Sequence, residues 1–337
     1  MNLKPAPVFQ PFLAVILSLM LGLLIVLPTG ENPLEAYRLW FSAGFGCAGS
    51  GGFCAIWTSL QYATPMILSG LAAMVAFRSG MISIGQFGQM VCGAGATTFL
   101  VVTLPGAPWL RMSVGLLGGV IAGGIWSAIP GALRAYLNIN EVITTLIFNT
   151  LALAATGSVS FWRIPQEVRF TPLIPTTKLT VAFFIAIGVA VLVYLYLWRR
   201  GKGLEVRMAG QASLFAKFAG MNARWAVVRG MFISGGLAGL AGGLEVLAVH
   251  HRFVSSFSTI DQFDGIIVSL LGQLHPLGIV FSSFLLGGLR LGSLNGLQLQ
   301  TAVPRQLSNI IIGLMMILMV MPTISYWLRA RTKTKGA

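Results

Sequence analysis

The sequence predicts an all-α polytopic membrane protein with about ten transmembrane helices, on the strength of three observations. Of 337 residues, 56% are hydrophobic and only 9% charged, whereas a soluble domain carries roughly a quarter charged residues. The apolar residues fall in long runs, mostly of about 16 to 24, not in alternating stripes, and such runs match a ~30 Å hydrocarbon core. Glycine occurs 41 times, in keeping with its greater frequency in membrane helices than in soluble ones. The gaps between apolar runs are too short for a separate soluble domain, so residues 1–337 read as one transmembrane domain.

In chain order, the candidate spans are Phe12–Leu27, Trp57–Phe77, Ile84–Leu104, Ser113–Leu133, Val142–Phe161, Leu179–Trp198, Val227–Val249, Phe263–Leu271, Leu277–Leu291 and Leu307–Leu328. The first follows Lys4 like a signal peptide, but the chain continues Pro28-Thr29-Gly30, without an A-x-A type site, so a retained span is expected. The eighth and ninth are short for the bilayer and are expected as half-helices or parts of broken spans. The connection Thr29–Ile56 is expected as an external loop. Trp162–Lys178 holds Pro165, Pro172 and Pro175 and should be extended and irregular.

Orientation follows from lysine and arginine. With both termini cytoplasmic, the 22 basic residues divide into 14 inside and 8 outside, Arg290 being counted outside. That division agrees with the positive-inside rule. It also accounts for the net charge of +14 without nucleic acid, since no basic face alternates with aromatics. The basic segment Arg199–Arg229 is the longest internal one; it reads either as a short cytoplasmic helix or as a solvated loop. Three cysteines show no metal-binding spacing. Cys47 and Cys54 flank a glycine-rich external stretch, where they would either pair or serve as small apolar residues.

Glycines four apart, at Gly119/Gly123, Gly235/Gly239/Gly243 and Gly288/Gly292, predict close helix packing. An internal echo relates Ser69–Ala73 to Gly235–Gly239 and Ile84–Gly88 to Ile260–Asp264. The copies would start at opposite faces, the pattern of an inverted repeat, although short matches arise easily in so glycine-rich a chain.

Polar groups inside the apolar runs are the candidates for a solute pathway. The stretch Arg78–Gln89 breaks an apolar region, and irregular backbone at membrane depth is tolerated only where buried in protein or lining a cavity. Gln86 and Gln89 would then offer amide groups to a solute; the competing reading is a tight cytoplasmic turn. Asn149 lies two turns into its span. Glu245 and Asp264 are carboxylates able to hydrogen-bond hydroxyls, with interfacial or capping roles as the alternative. Glu141 fits a helix first turn. No HExxH, GxSxG or GxxxxGK[ST] motif occurs, so neither an enzyme nor an internal ATPase is expected, and three histidines make no metal site.

The stretches Gly70–Gln89, Pro130–Asn149, Gly201–Asn222, Ser234–Phe253 and Phe263–Gly278 resemble the bacterial ABC importer permeases of the branched-chain amino acid/ribose type. The nearest branch is that of nucleosides and simple sugars. The resemblance implies a bacterial inner-membrane subunit moving a small polar solute by alternating access. ATP would be bound by a separate ATP-binding cassette subunit, with no cofactor in this chain. A second permease subunit, expected to be a different chain, and an external solute-binding protein would complete the assembly in the lipid bilayer. It also makes Arg199–Arg229 the segment that docks on the ATPase, with Arg207, Gly210, Gly220 and Asn222 at matching positions. The family form N-I-G-x-E-G-Q is altered here: Ser83 replaces the Asn and Phe87 the Glu, removing two polar groups from the implied pathway. The rival reading is a stand-alone secondary transporter or channel for a small polar solute.

Overall fold

The structure is a computed structural model that describes residues 9–47, 55–159, 162–173, 177–253, 263–301 and most of 306–318. Cys54, Asp261 and most of the expected span Leu307–Leu328 lie outside the described residues. The principal helices among the described residues are α1 Phe9–Val26, α2 Pro33–Phe45, α3 Ala55–Arg78, α4 Gln86–Thr103, α5 Pro108–Leu137, α6 Glu141–Ala155, α7 Val181–Arg199, α8 Gly201–Gln211, α9 Ser213–Phe218, α10 Ala223–Glu245, α11 Asp264–Leu271 and α12 Pro276–Gly292. Single π-turns carry α10 on through Val246–His250 and α12 on through Ser293–Leu297. Among the described residues, the only β pairings are isolated bridges, Arg163 with Arg252 and Pro172 with Thr180.

Among the described residues, five helices are long and apolar enough to cross a membrane: Ala55–Arg78, Pro108–Leu137, Val181–Arg199, Ala223–His250 and Pro276–Gln300. They divide by burial. In α3 and α10 the apolar window is 83% and 78% buried, against 28% in both α5 and α7. The first pair therefore forms the centre, and the second faces outward with Leu117, Ile121, Phe184 and Leu192 exposed.

Glycine sets the packing distances. A Cβ at Gly235 would meet the Gly123 carbonyl oxygen, and one at Gly239 that of Gly119. Gly93 of α4 lies against Gly239 from another side. The backbones of α4, α5 and α10 thus touch without intervening side chains, as the four-residue glycine spacing predicts.

The segment expected as the external loop Thr29–Ile56 instead contains α2. Asn32 caps this helix by accepting from Leu34 N, with Pro33 at its first position. It runs antiparallel to α12: Gly296 meets Leu39, Gly292 meets Trp40, and Gly288 meets Gly44 and Phe45. Trp40 is fully buried and donates from Nε1 to the Leu289 oxygen at 2.7 Å. The open carbonyl of Gly44 near the helix end accepts from Ser59 Oγ at 2.6 Å. At 13 residues, α2 is about 20 Å long, too short to span. Cys47, just beyond it, is disulfide-bonded, whereas Cys92 is free and buried.

α11 approaches α12 from its other end. Gly272 packs on Gly278, Ser282 Oγ donates to the Val268 oxygen at 2.8 Å, and Asp264 pairs with Arg290. The tips of α2 and α11 therefore reach the same level, residues 288–290 of α12, from opposite directions. The pairing pattern also repeats across the centre: α10 packs on α4 and α5, and α3 packs on α11 and α12.

Candidate functional site

The break between α3 and α4 is a built structure. Gly80 turns the chain at φ +82°, a conformation that side chains other than glycine rarely adopt. From α6, Asn149 holds the following segment on two sides. Its Oδ1 accepts from Gly88 N at 2.9 Å, and its Nδ2 donates to the Ile84 oxygen at 3.0 Å. One turn earlier, Thr145 Oγ1 accepts from Ile84 N at 3.3 Å. Gln86 donates to the Ser83 oxygen at 3.0 Å, and Gln89 to Ser127 Oγ of α5 at 3.0 Å. Both glutamines are buried, and each side-chain oxygen has no hydrogen-bond partner. Phe87 packs at the edge of the apolar cluster around Val91 and Phe253.

These bonds make Asn149 a clamp. Asn149→Ala should leave the buried Gly88 N–H and Ile84 carbonyl unpaired, at a cost of about 1–3 kcal/mol. Denaturant titration of the purified variant in detergent checks this, and an unchanged midpoint would remove the clamp role.

Glu245 ends the regular part of α10, its side chain fully buried and 3.4 Å from His250 Nε2 across the π-turn. π-turns inside helices recur at functional sites. Asp264 is fully buried too, and its Oδ1 accepts from Arg290 at 2.7 Å. Arg290 thus lies within the long helix Pro276–Gln300. The structure groups Gln86, Phe87, Gln89 and Asn149 at one site, while Glu245 faces His250 and Asp264 faces Arg290. Glu141 sits in the first turn of α6 and pairs with Arg134 at 3.2 Å. Among the described residues, no group of His, Cys, Asp and Glu can hold a metal ion.

The basic segment after α7 folds as two short helices, α8 and α9, packed on the α3 end. A Cβ at Gly210 would fall against the Arg78 carbonyl oxygen and the Gly80 amide, so only glycine permits that contact. Gly220 turns the chain at φ +75°. Asn222 caps α10, its side chain accepting from Trp225 N at 3.1 Å. The Arg207 guanidinium lies 5.4 Å from the centre of the Trp198 ring, and Arg78 lies 5.5 Å from the same ring, both within cation–π range. Arg78 also donates to the Leu274 oxygen at 3.0 Å, tying this cluster to the α11–α12 connection. There His275 Nδ1 accepts from Leu277 N at 3.3 Å; burial, then the nearby Arg78 charge, hold its pKa below the ordinary histidine value, which suits an acceptor.

The four residues matched to docking therefore build the segment's shape. The exposed face consists of others: Leu214, Phe215 and Phe218 are 67%, 60% and 83% exposed. Sequence reasoning missed them, though three large apolar residues within a five-residue stretch of a basic segment were the available signal.

Comparison with known proteins identifies the family. The family model described as "Branched-chain amino acid transport system / permease component" matches residues 55–320. The chain is similar to the guanosine ABC transporter permease protein of Bacillus subtilis (30% identity, 97% of each chain covered). It is also similar to the nucleoside ABC transporter permease protein of Lactococcus lactis (28%; 87% of this chain and 85% of the relative). A third relative is the glucose ABC transporter permease protein of Haloferax volcanii (26%; 92% and 86%). With most of its length matched in this way, the chain belongs to the permease components of the branched-chain amino acid transport family.

Proposed function

We propose that this chain is the membrane-spanning permease subunit of an ATP-driven importer for a nucleoside or a simple sugar. The observation that carries the reading is the α8–α9 segment, wedged by Gly210 against the α3–α4 turn while presenting Leu214, Phe215 and Phe218 outward. Such a face rimmed by basic residues suits a protein partner. In this reading the partner is an ATP-binding cassette subunit on the cytoplasmic side, the only holder of ATP. A second permease subunit and an external solute-binding protein complete the assembly. The printed names of the relatives support a nucleoside first and a sugar second.

The finer architecture in this reading is one domain of ten spans in a bacterial inner membrane, both termini inside. Its halves are related by inversion, with α2 and α11 as half-helices meeting at mid-membrane. The matching pairings of α10 with α4 and α5, and of α3 with α11 and α12, support the repeat. The disulfide at Cys47 suits an oxidising external face for that end of α2. Solute would pass beside the Gln86–Gln89 break, with Glu245 and Asp264 near the path. ATP binding would shift α8, and its contacts at the α3–α4 turn and through Trp198 and Arg78 to Leu274 would carry the shift to the α11–α12 hairpin.

Substituting the exposed aromatics tests this. Phe215→Asp together with Phe218→Asp should weaken co-purification of the ATPase by about 30-fold or more, the cost of losing a central aromatic contact. The solubilised variant should unfold as the wild type does, because both side chains are exposed. Undiminished ATPase recovery would overturn the docking role. Ion-gradient-driven uptake by vesicles holding this chain alone would favour the stand-alone transporter.

A further inference from the structure

At the junction of α7 and α8 a cavity of about 440 Å³ is lined by Leu192, Leu195, Tyr196, Arg200, Gly201 and Lys202. One wall is apolar and belongs to the last turns of a span. Leu192 and Leu195 are 64% and 44% exposed there, on a helix whose outer face is apolar. The other wall is cationic. Arg200 and Lys202 are exposed, and neither has an ion-pair partner among the described residues. Glu205, the nearest carboxylate along the chain, is already paired with Arg229 at 2.5 Å.

Two further donors are present. α8 has 11 residues and begins at Gly201 without a side-chain cap; the Gly203 and Leu204 N–H groups donate to the Arg200 oxygen, which leaves those of Gly201 and Lys202 as its free amides. The Tyr196 hydroxyl oxygen is buried and has no hydrogen-bond partner. Cations, free amides and a hydroxyl are the donor set for a phosphate oxygen. Leu195 precedes Arg200 by five residues, roughly 8 Å along a helix. That matches the distance from a lipid headgroup down to the start of its acyl chains.

We propose that this cavity binds an anionic phospholipid, its phosphodiester held by Arg200, Lys202 and the α8 N-terminus, and its acyl chains lying along Leu192 and Leu195. A soluble anion would not use the apolar wall, and a neutral lipid would not use the unpaired cations. Basic pockets at the cytoplasmic ends of spans are the common form of such sites. The proposal rests on the cytoplasmic placement of α8 given above, which puts the lipid in the inner leaflet. It also places the lipid at the base of the segment that contacts the ATPase.

The test uses the full chain with whatever subunits co-purify, in mild detergent, under native mass spectrometry. Phosphatidylglycerol and phosphatidylcholine with identical acyl chains are added at equal concentration. Wild type should retain phosphatidylglycerol preferentially. Arg200→Gln and Lys202→Gln should each lower that preference about fivefold, and the double variant about 30-fold. Tyr196→Phe, which changes no charge, should lower it less. Equal retention of the two lipids by wild type, or unchanged preference in the double variant, overturns the site. Displacement by millimolar glycerol 3-phosphate would overturn a lipid in favour of a free phosphate ester. Absence of an ATPase from the preparation would instead count against the importer reading, with the lipid adducts still readable on the chain.

Discussion

Arg290→Ala is expected to destabilise the chain by about 3–5 kcal/mol, the cost of leaving a buried charge without its partner. The Asp264 side chain is 1% exposed and that of Arg290 13%, with 2.7 Å between the paired atoms. The pair fastens the tip of α11 to the middle of α12, where the Asp264 carboxylate is shut off from water. Asp264→Asn should cost less, because an amide is cheaper to bury than a carboxylate. A variant carrying Asp264→Leu and Arg290→Met should recover much of the loss, since well-packed apolar residues often replace a buried pair without penalty. Denaturant unfolding in detergent reads all three. Additive losses would show that the two residues act independently, against the 2.7 Å geometry. If the recovered double variant assembles but transports poorly, the pair serves translocation as well as stability.

Membrane embedding was legible in composition and run length, because a bilayer imposes span length directly on the sequence. The close packing of α5 with α10 was legible too, since glycines four apart have few other uses in a span. α2 was not read as a helix. Glu35 and Arg38 interrupt its hydrophobicity, and at 13 residues it falls short of a span. Its signal lay elsewhere, in Tyr37, Trp40, Phe41, Gly44 and Phe45, which recur at helical spacing. Asp264 was legible as a buried carboxylate, but its partner lies 26 residues away, and no local pattern announces such a pairing. Around α8 and α9, motif matching found the residues that shape the segment, Gly210 and Gly220. It missed the exposed Phe215 and Phe218, because a docking face is defined by what the fold leaves uncovered.

The glycine contacts carry the other large effect. Gly239→Leu is expected to prevent the chain from accumulating in the membrane. A Cβ there meets the Gly119 carbonyl oxygen and, at 3.2 Å, the Gly123 Cα, so no rotamer change makes room and α5 and α10 must separate. Overpacking a rigid site costs about 1–3 kcal/mol, and separating these helices also loosens α4 at Gly93. Gly239→Ala should be intermediate. Gly188 of α7 provides the contrast, because a Cβ there meets nothing within 4 Å. Gly188→Ala should therefore be neutral or stabilising by about 0.5–1 kcal/mol, the helix preference for alanine over glycine. Membrane-fraction yield and thermal unfolding of the three variants decide the matter. Equal tolerance at 188 and 239 would mean that the α5–α10 backbone contact does not hold the centre together. A loss confined to 239 would locate the rigid core of the permease at that crossing and leave α7 as a lipid-facing helix free to shift against it.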